Sequence, residues 1–340
     1  MPEGSHLPTV MELADLLHGI TAREPMADNA GKSGAHIERV TIDGERYVLK
    51  YLDRTEDWTM RAAGVLGGAT LDLWSRGLLD RLPDCIEQPI VAVATGPRVS
   101  EPHAIDVTAL LMRDVGPWLL EVSDDPIAPA VHRQVLDHMA ALHARFWEAG
   151  PEIDIVTPMT RYLELSPWTA RTEEQLGSAH LVPKLIGQGW PLLADVAPVA
   201  AAVVLPLALD PGPLVEALES TPQTLVHGNF KLDNLGVTPE GRTILLDWEG
   251  SGRGAAASDL AWYLAINCRR LPESKEESIR AYRGSLEARG IDTDGWWDRQ
   301  VALSLLGGLV QFGWEKAFGG LDDELAWWQG KAIEGARLLS

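Results

Sequence analysis

The segment His227-Gly228-Asn229-Phe230-Lys231-Leu232-Asp233-Asn234, with the apolar run Ile244-Leu245-Leu246 ending in Asp247, most constrains what this chain can become. Thr224 to Val226 and Thr243 to Asp247 read as short strands on either side of a loop. A loop that leaves one buried strand and returns along another carries Asn229, Asn234 and Asp247 toward one place. A side-chain oxygen of Asn234 and the carboxylate of Asp247 can then converge on a divalent cation. Hard oxygen ligands suit Mg²⁺, which is usually held by one or two protein groups together with phosphates and water. In that arrangement Asn229 would face a hydroxyl attacking a γ-phosphorus.

The rest of the chain sets the bounds. Its 340 residues suit one large domain or two packed lobes, and 46 % hydrophobic residues suffice for a substantial core. With 49 acidic against 29 basic side chains the net charge is −20. Nucleic acid is gripped by surplus Lys and Arg, which this chain lacks, and the same deficit argues against an anionic membrane surface. The charge is compatible with steering a cationic ligand and equally with solubility alone. Cys85 and Cys268 stand apart, unlike the dense cysteines of a disulfide-stapled secreted domain. The start carries no basic segment leading into an apolar run. The longest apolar region, Val196 to Leu209, is broken by Pro198 and Pro206 and suits packed helices. The expectation is a cytoplasmic protein without a nucleic-acid or membrane partner.

Along the chain, Pro8 to His18 reads as a short amphipathic helix. Ala35 to Ile42 and Arg46 to Tyr51 read as a hairpin closed by Asp43-Gly44. Trp58 to Leu82 reads as helix broken at its glycines, and Ile90 to Ala94 and Ala109 to Arg113 as strands. After Asp114-Val115-Gly116-Pro117 the pattern turns helical, with Ala130 to Ala149 the clearest case: Val135, Leu136, Met139, Leu142 and Phe146 share a face. Leu163 to Leu209 reads as a helical insert, and residues 256–338 as helices with a loop near Glu287 to Gly295. Strands come first and helices later, which predicts an α+β fold.

The catalytic-looking segment resembles the aminoglycoside phosphotransferase-like kinases, relatives of the protein kinases that include choline, homoserine and macrolide kinases. That family has His-Gly-Asp, an Asn a few residues on, and a downstream strand ending in Asp. Ser258-Asp259-Leu260-Ala261-Trp262-Tyr263-Leu264 is similar to the helix whose Asp holds the family's catalytic loop, and Ala140-Ala141-Leu142-His143-Ala144 to its Leu-His helix. The resemblance implies a protein-kinase-like two-lobed fold, with a β-rich N-lobe over 1–115 and a helical C-lobe over 116–340. It implies ATP and Mg²⁺ as cofactors and a small-molecule hydroxyl as acceptor, such as that of an aminoglycoside, a sugar or an amino alcohol. Asn234 and Asp247 would hold the metal.

One position departs from the pattern. Where the family has its base Asp, this chain has Asn229. An amide accepts a hydrogen bond but takes no proton at neutral pH. General-base catalysis contributes about 10²–10⁴-fold, so Asn229 implies a slow kinase, or a pseudokinase that binds nucleotide or metabolite without turnover. The resemblance places Lys50, in Tyr47-Val48-Leu49-Lys50-Tyr51, on the α- and β-phosphates, with Glu56, Asp57 or Asp72 as candidate acidic partners. Gly31-Lys32-Ser33-Gly34 is no Walker loop, because Met26 stands where its first Gly is required. Gly31, Ser33 and Gly34 instead suit the turn that covers the phosphates in kinases. Met112 to Val115, with Asp114, would be the hinge meeting adenine through backbone groups. The pairs Trp296-Trp297 and Trp327-Trp328, with Trp314, read as core packing or as an aromatic wall for a sugar or cation. Rival readings are a kinase for a peptide hydroxyl and a Mg²⁺-dependent hydrolase.

Overall fold

The computed structural model describes residues 8–26, 33–64, 67–100 and 103–339. The chain opens with β1 (Met11–Glu12), α1 (Leu13–His18), β2 (Ile20–Pro25), β3 (His36–Ile42) and β4 (Glu45–Leu52). It continues through α2 (Trp58–Ala63), α3 (Ala69–Ser75), β5 (Ile86–Glu87), β6 (Ile90–Ser100) and β7 (His103–Arg113). Six of these strands form one sheet in the order β1-β6-β7-β4-β3-β2. The β3–β4 hairpin turns at Asp43 and Gly44, with φ of 51° and 84°. Positive φ at both central residues matches the right-handed twist of the flanking strands.

Two sequence expectations change here. Pro8 to His18 is not one helix: Met11 and Glu12 extend to pair in parallel with Ala94 and Thr95, and only Leu13–His18 coils. The exposed edge of β6 offers backbone partners that a local reading cannot see. For the same reason β2 was absent from the sequence reading, although it pairs with β3 from Ile20↔Ile42 to Pro25↔Glu38.

The sheet has two unlike faces. Leu49 and Tyr51 point to a small cluster with Leu13, Leu16, Val40, Val107, Ala109 and Leu111, closed by α1. Alternation along β4 sends Lys50 and Leu52 to the other face, where Leu52, Val93 and Leu110 join the large core of the helical half. Lys50 is therefore a half-buried cation next to the point where Leu52 enters that core.

The second half contains α4 (Pro129–Arg145), α5 (Pro158–Glu164), α6 (Pro167–Gln175), α7 (Leu181–Val196), α8 (Pro198–Leu209), α9 (Gly212–Glu219) and β8 (Gln223–Val226). Then come β9 (Leu235–Val237), β10 (Thr243–Leu245), β11 (Gly252–Ala255), α10 (Ala256–Ile266), α11 (Lys275–Glu287), α12 (Trp297–Lys316) and α13 (Asp323–Ala336). β10 lies between β5 and β9, and β8 pairs with β11. α12 is apolar nearly all round because it runs through the middle of the core, with Leu303, Leu306, Leu309 and Val310 fully buried. Its Trp314 backbone meets α7 so closely that a Cβ on Gly189 would lie 2.2 Å from the Trp314 carbonyl oxygen. Trp297, Trp314 and Trp328 are buried and pack within this core, so the aromatic-wall reading gives way to the packing one. Among the described residues no single helix is long and apolar enough to cross a membrane. The bent pair α8 and α9 passes on length and composition alone, and its Ala200, Val204 and Leu214 are buried in the helical core.

Candidate active site

Three elements bring the central side chains together. β4 supplies Lys50, the loop after β8 supplies Asn229 and Asn234, and the residue following Leu246 is Asp247. Lys50 Nζ donates to Asp247 Oδ1 at 2.7 Å, and Asn229 Nδ2 donates to Asp247 Oδ2 at 2.9 Å. Asn234 Nδ2 donates to the Asn229 carbonyl at 3.4 Å, while the Leu246 amide donates to the Asn234 carbonyl at 3.0 Å. The latter bond fixes the Asn234 segment beside the chain that carries Asp247. Asp247 itself takes a left-handed conformation, φ 63° and ψ 67°, which a short polar side chain tolerates better than a branched one.

Burial and charge oppose each other at this group. Burial alone would lower the Lys50 ammonium, but Asp247, Glu249 and Asp57 outweigh it and hold it above its ordinary value. Burial would raise the Asp247 carboxyl, yet the charge and hydrogen bond of Lys50, with the Asn229 amide, keep it below the usual carboxylate range. Both groups are thus charged and paired. Beside them lies a small cleft whose walls combine Ile90, Leu110, Met112, Leu245 and Trp248 with the polar Lys50, Thr70, Asp247 and Glu249.

The loop geometry is imposed from below. Gly228 has φ 77°, and a Cβ there would lie 2.4 Å from the Gly250 carbonyl oxygen. Asp259, on α10, accepts from the amides of His227 at 2.7 Å and Gly228 at 2.8 Å, and from His143 Nε2 at 3.0 Å. At the other end of α10, Asn267 accepts from the Leu232 amide and donates to the Phe230 carbonyl, both at 2.9 Å. The Asn229 amide donates to His227 Nδ1 at 3.2 Å. Burial pushes the His227 imidazole down to about 4 against the charges of Asp259 and Asp247, so the ring is neutral and braces the loop.

The other predicted residues are placed as follows. Met112 lines the cleft. Asp114 lies just past β7 with its carboxylate bonded to Arg39 Nε at 3.1 Å. Ser33 and Gly34 pack elsewhere: the Ser33 carbonyl accepts from the Trp58 amide at 3.2 Å, and Gly34 abuts His180. Gly31 lies outside the described residues. None of Glu56, Asp57 and Asp72 bonds Lys50; Asp57 instead caps α2 through the Thr59 and Met60 amides. The acid bonded to Lys50 is Asp247 itself. Lys231 is paired with Asp233, and Arg253 with Asp154 and the carbonyls of Ala149 and Gly150, so neither cation reaches toward the cleft unpaired.

Two residues escaped the sequence reading. Glu249 adds charge near Lys50 while its carboxylate accepts from the Ala69 and Thr70 amides and the Thr70 hydroxyl. Its place two residues after Asp247 was the available signal. Glu164, at the end of α5, is raised to about 7 by burial and by the charges of Asp247 and Asp57, with Arg161 opposing. It precedes the His227–Asn234 loop by a long insert, and nothing local in the sequence marks it.

As to a metal, Asp247 and Asn234 offer hard oxygens in neighbouring, mutually bonded segments. With Asn234 Nδ2 turned to the Asn229 carbonyl, its Oδ1 is left as a donor atom for a cation. This set fits Mg²⁺ in the usual way of few protein ligands and several from phosphate and water.

A strand-borne lysine paired with an Asp beside a loop of the helical half fits a two-lobed kinase-like phosphotransferase fold. Residues 87–293 match the phosphotransferase enzyme family (APH). The match covers well over half of the chain, and the chain belongs to that family. Among solved structures, a microcompartment-associated aminopropanol kinase superposes with a TM-score of 0.53 at 12 % identity, covering 96 % of this chain and 94 % of that one. The choline kinase LicA from Streptococcus pneumoniae gives 0.47 at 13 %, covering 95 % of each chain. The macrolide 2′-phosphotransferase MphH from Brachybacterium faecium gives 0.47 at 16 %, covering 94 % of this chain and 96 % of that one. At 12 % identity the likeness to the aminopropanol kinase is one of fold. No curated protein sequence matches the chain.

Proposed function

We propose that this protein transfers the γ-phosphoryl group of ATP to a hydroxyl of a small molecule, with Mg²⁺ as cofactor. The observation that carries the reading is the convergence of Lys50, Asn229 and Asp247 at 2.7 and 2.9 Å from three separate elements beside a small cleft. The lobes divide at residue 115 in this reading, so that the six-stranded sheet and the helical half close over the nucleotide between them. Use of ATP sets the reaction in the cytoplasm.

Lys50 holds the α- and β-phosphates once it turns from Asp247. Asp247 and the Oδ1 of Asn234 hold the metal. Bound Mg²⁺ supplies neutralisation of the charge on the transferring phosphoryl. Asn229 keeps its Nδ2 toward Asp247 and presents its Oδ1 to the acceptor hydroxyl, which orients the nucleophile without removing its proton. Phosphoryl transfer passes through a loose transition state in which positioning and charge stabilisation dominate, so a site lacking a carboxylate base can still turn over. Glu164 and Asp57 add negative charge beside the group, which favours an acceptor carrying an amine, such as an amino alcohol or aminoglycoside.

Calorimetry with Mg·ATP on this chain and on Asp247→Ala tests the nucleotide site without knowledge of the acceptor. Binding is expected for the parent and a loss of at least about tenfold for the variant. Equal binding by both, or none by the parent, sinks the reading. A panel of amino alcohols, aminoglycosides and sugars then tests the acceptor class by release of ADP.

A further inference from the structure

Asp247 has two oxygens, and each accepts a hydrogen bond from the chain. Oδ1 accepts from the Lys50 ammonium at 2.7 Å and Oδ2 from the Asn229 amide at 2.9 Å. A carboxylate only accepts, so it is the nitrogen of the Asn229 amide that must face it. The formal charge over Lys50, Asn229 and Asp247 is zero. A second carboxylate at position 229 would leave the group negative, with two acidic side chains side by side. Such a pair is relieved by a shared proton or a cation, and it invites a divalent ion. The amide does the reverse: it directs a hydrogen at Oδ2, which leaves Oδ1, the oxygen paired with Lys50, as the one for a metal.

We propose that Asn229 and Lys50 together lock Asp247 against divalent cations until a nucleotide draws Lys50 onto its phosphates, so that the metal enters with the nucleotide and not before. This rests on the nucleotide reading above. The lysine is the movable half of the lock, a long flexible ammonium with a phosphate as its alternative partner. The amide is the fixed half, held by a loop that α10 grips at both ends. Linkage makes the coupling reciprocal: whatever factor the nucleotide adds to metal affinity, the metal adds to nucleotide affinity. A carboxylate at 229 would weaken that coupling by letting the metal bind alone.

Mn²⁺ is the probe, followed by the electron paramagnetic resonance signal of the free ion, with and without AMP-PNP. Binding that survives in Asp247→Ala is subtracted as surface binding to an acidic chain, and thermal melting checks that each variant folds. Without nucleotide, Asn229→Asp is expected to take up Mn²⁺ at least about tenfold more tightly than the parent, and AMP-PNP is expected to raise the parent's affinity far more than the variant's. Asn229→Ala, which removes the amide without adding charge, is expected to bind nucleotide-free Mn²⁺ more tightly than the parent and less tightly than Asn229→Asp. Equal nucleotide-free affinity in all three chains overturns the lock. Failure of the parent to bind AMP-PNP overturns the nucleotide reading instead, while the nucleotide-free comparison still reports on Asn229.

Discussion

Glu164 carries a carboxylate for which, among the described residues, no hydrogen bond or ion pair is found. Burial and the charges of Asp247 and Asp57 raise it from 4.5 to about 7. The folded chain therefore binds this proton more tightly than the unfolded chain does. Between these two values stability must fall as pH rises, and the destabilisation is fully present above about pH 7. Glu164→Gln keeps the shape and removes the charge. It is expected to stabilise the protein by about 1–3 kcal/mol at about pH 8 and by almost nothing near pH 4.5. Urea unfolding at the two pH values measures this, and an equal effect at both would show that neither burial nor the charges of Asp247 and Asp57 raise Glu164.

At the scale of elements, one helix governs the loop. α10 grips the His227–Gly228 amides through Asp259 near its start and the Phe230–Leu232 backbone through Asn267 just past its end. Asp259 is 1 % exposed, and burial alone would raise it; its bonds with His143 and the loop amides keep it charged. Asp259→Asn turns an amide N–H toward backbone N–H groups or leaves one of them unpaired. A loss of about 3 kcal/mol is expected, with faster hydrogen exchange confined mainly to residues 227–234. Uniform acceleration across the chain would mean that α10 supports the fold at large and not this loop in particular. The same elements show what a sequence reveals. Asn229, Asn234 and Asp247 were legible as a group because loop chemistry keeps them at short spacing; the hairpin turn placed Lys50 on a strand, and only the family resemblance placed it at the site. The partnership of Lys50 with Asp247 was not legible: the two lie 197 residues apart and meet only when the sheet docks on the helical half. Nor was β2, whose polar residues gain strand structure from the edge of β3, nor the layout around α8, which is apolar on every side and carries no helical period.

At the scale of the whole molecule, the question is what holds the sheet-bearing half to the helical one away from the cleft. Arg61, on α2, forks onto Glu173 of α6 with Nε at 2.7 Å and Nη2 at 2.6 Å, and its Nη1 reaches the Arg54 and Thr55 carbonyls at 2.9 Å. Beside it His180 Nε2 meets the Glu56 carbonyl at 2.8 Å, and Gly34 packs on the same imidazole. The turn leading into β3, the segment before α2 and the insert around α6 thus share one junction, separate from the Lys50–Asp247 contact. The Glu173 side chain is 2 % exposed and that of Arg61 21 %, so the pair is buried on one side only. Such a pair contributes little beyond a matched apolar replacement, but removing one partner strands the other charge. Arg61→Met is expected to cost about 3 kcal/mol, while Arg61→Met combined with Glu173→Leu recovers much of that loss. A double-mutant cycle in urea measures the coupling. If the clasp also sets how the two halves close, Arg61→Met weakens Mg·ATP binding at constant temperature, whereas the double variant does not restore it, because apolar side chains repay burial without fixing direction. Additive stability effects would remove the clasp, and unchanged nucleotide affinity would confine it to stability, leaving closure to Lys50 and Asp247 alone.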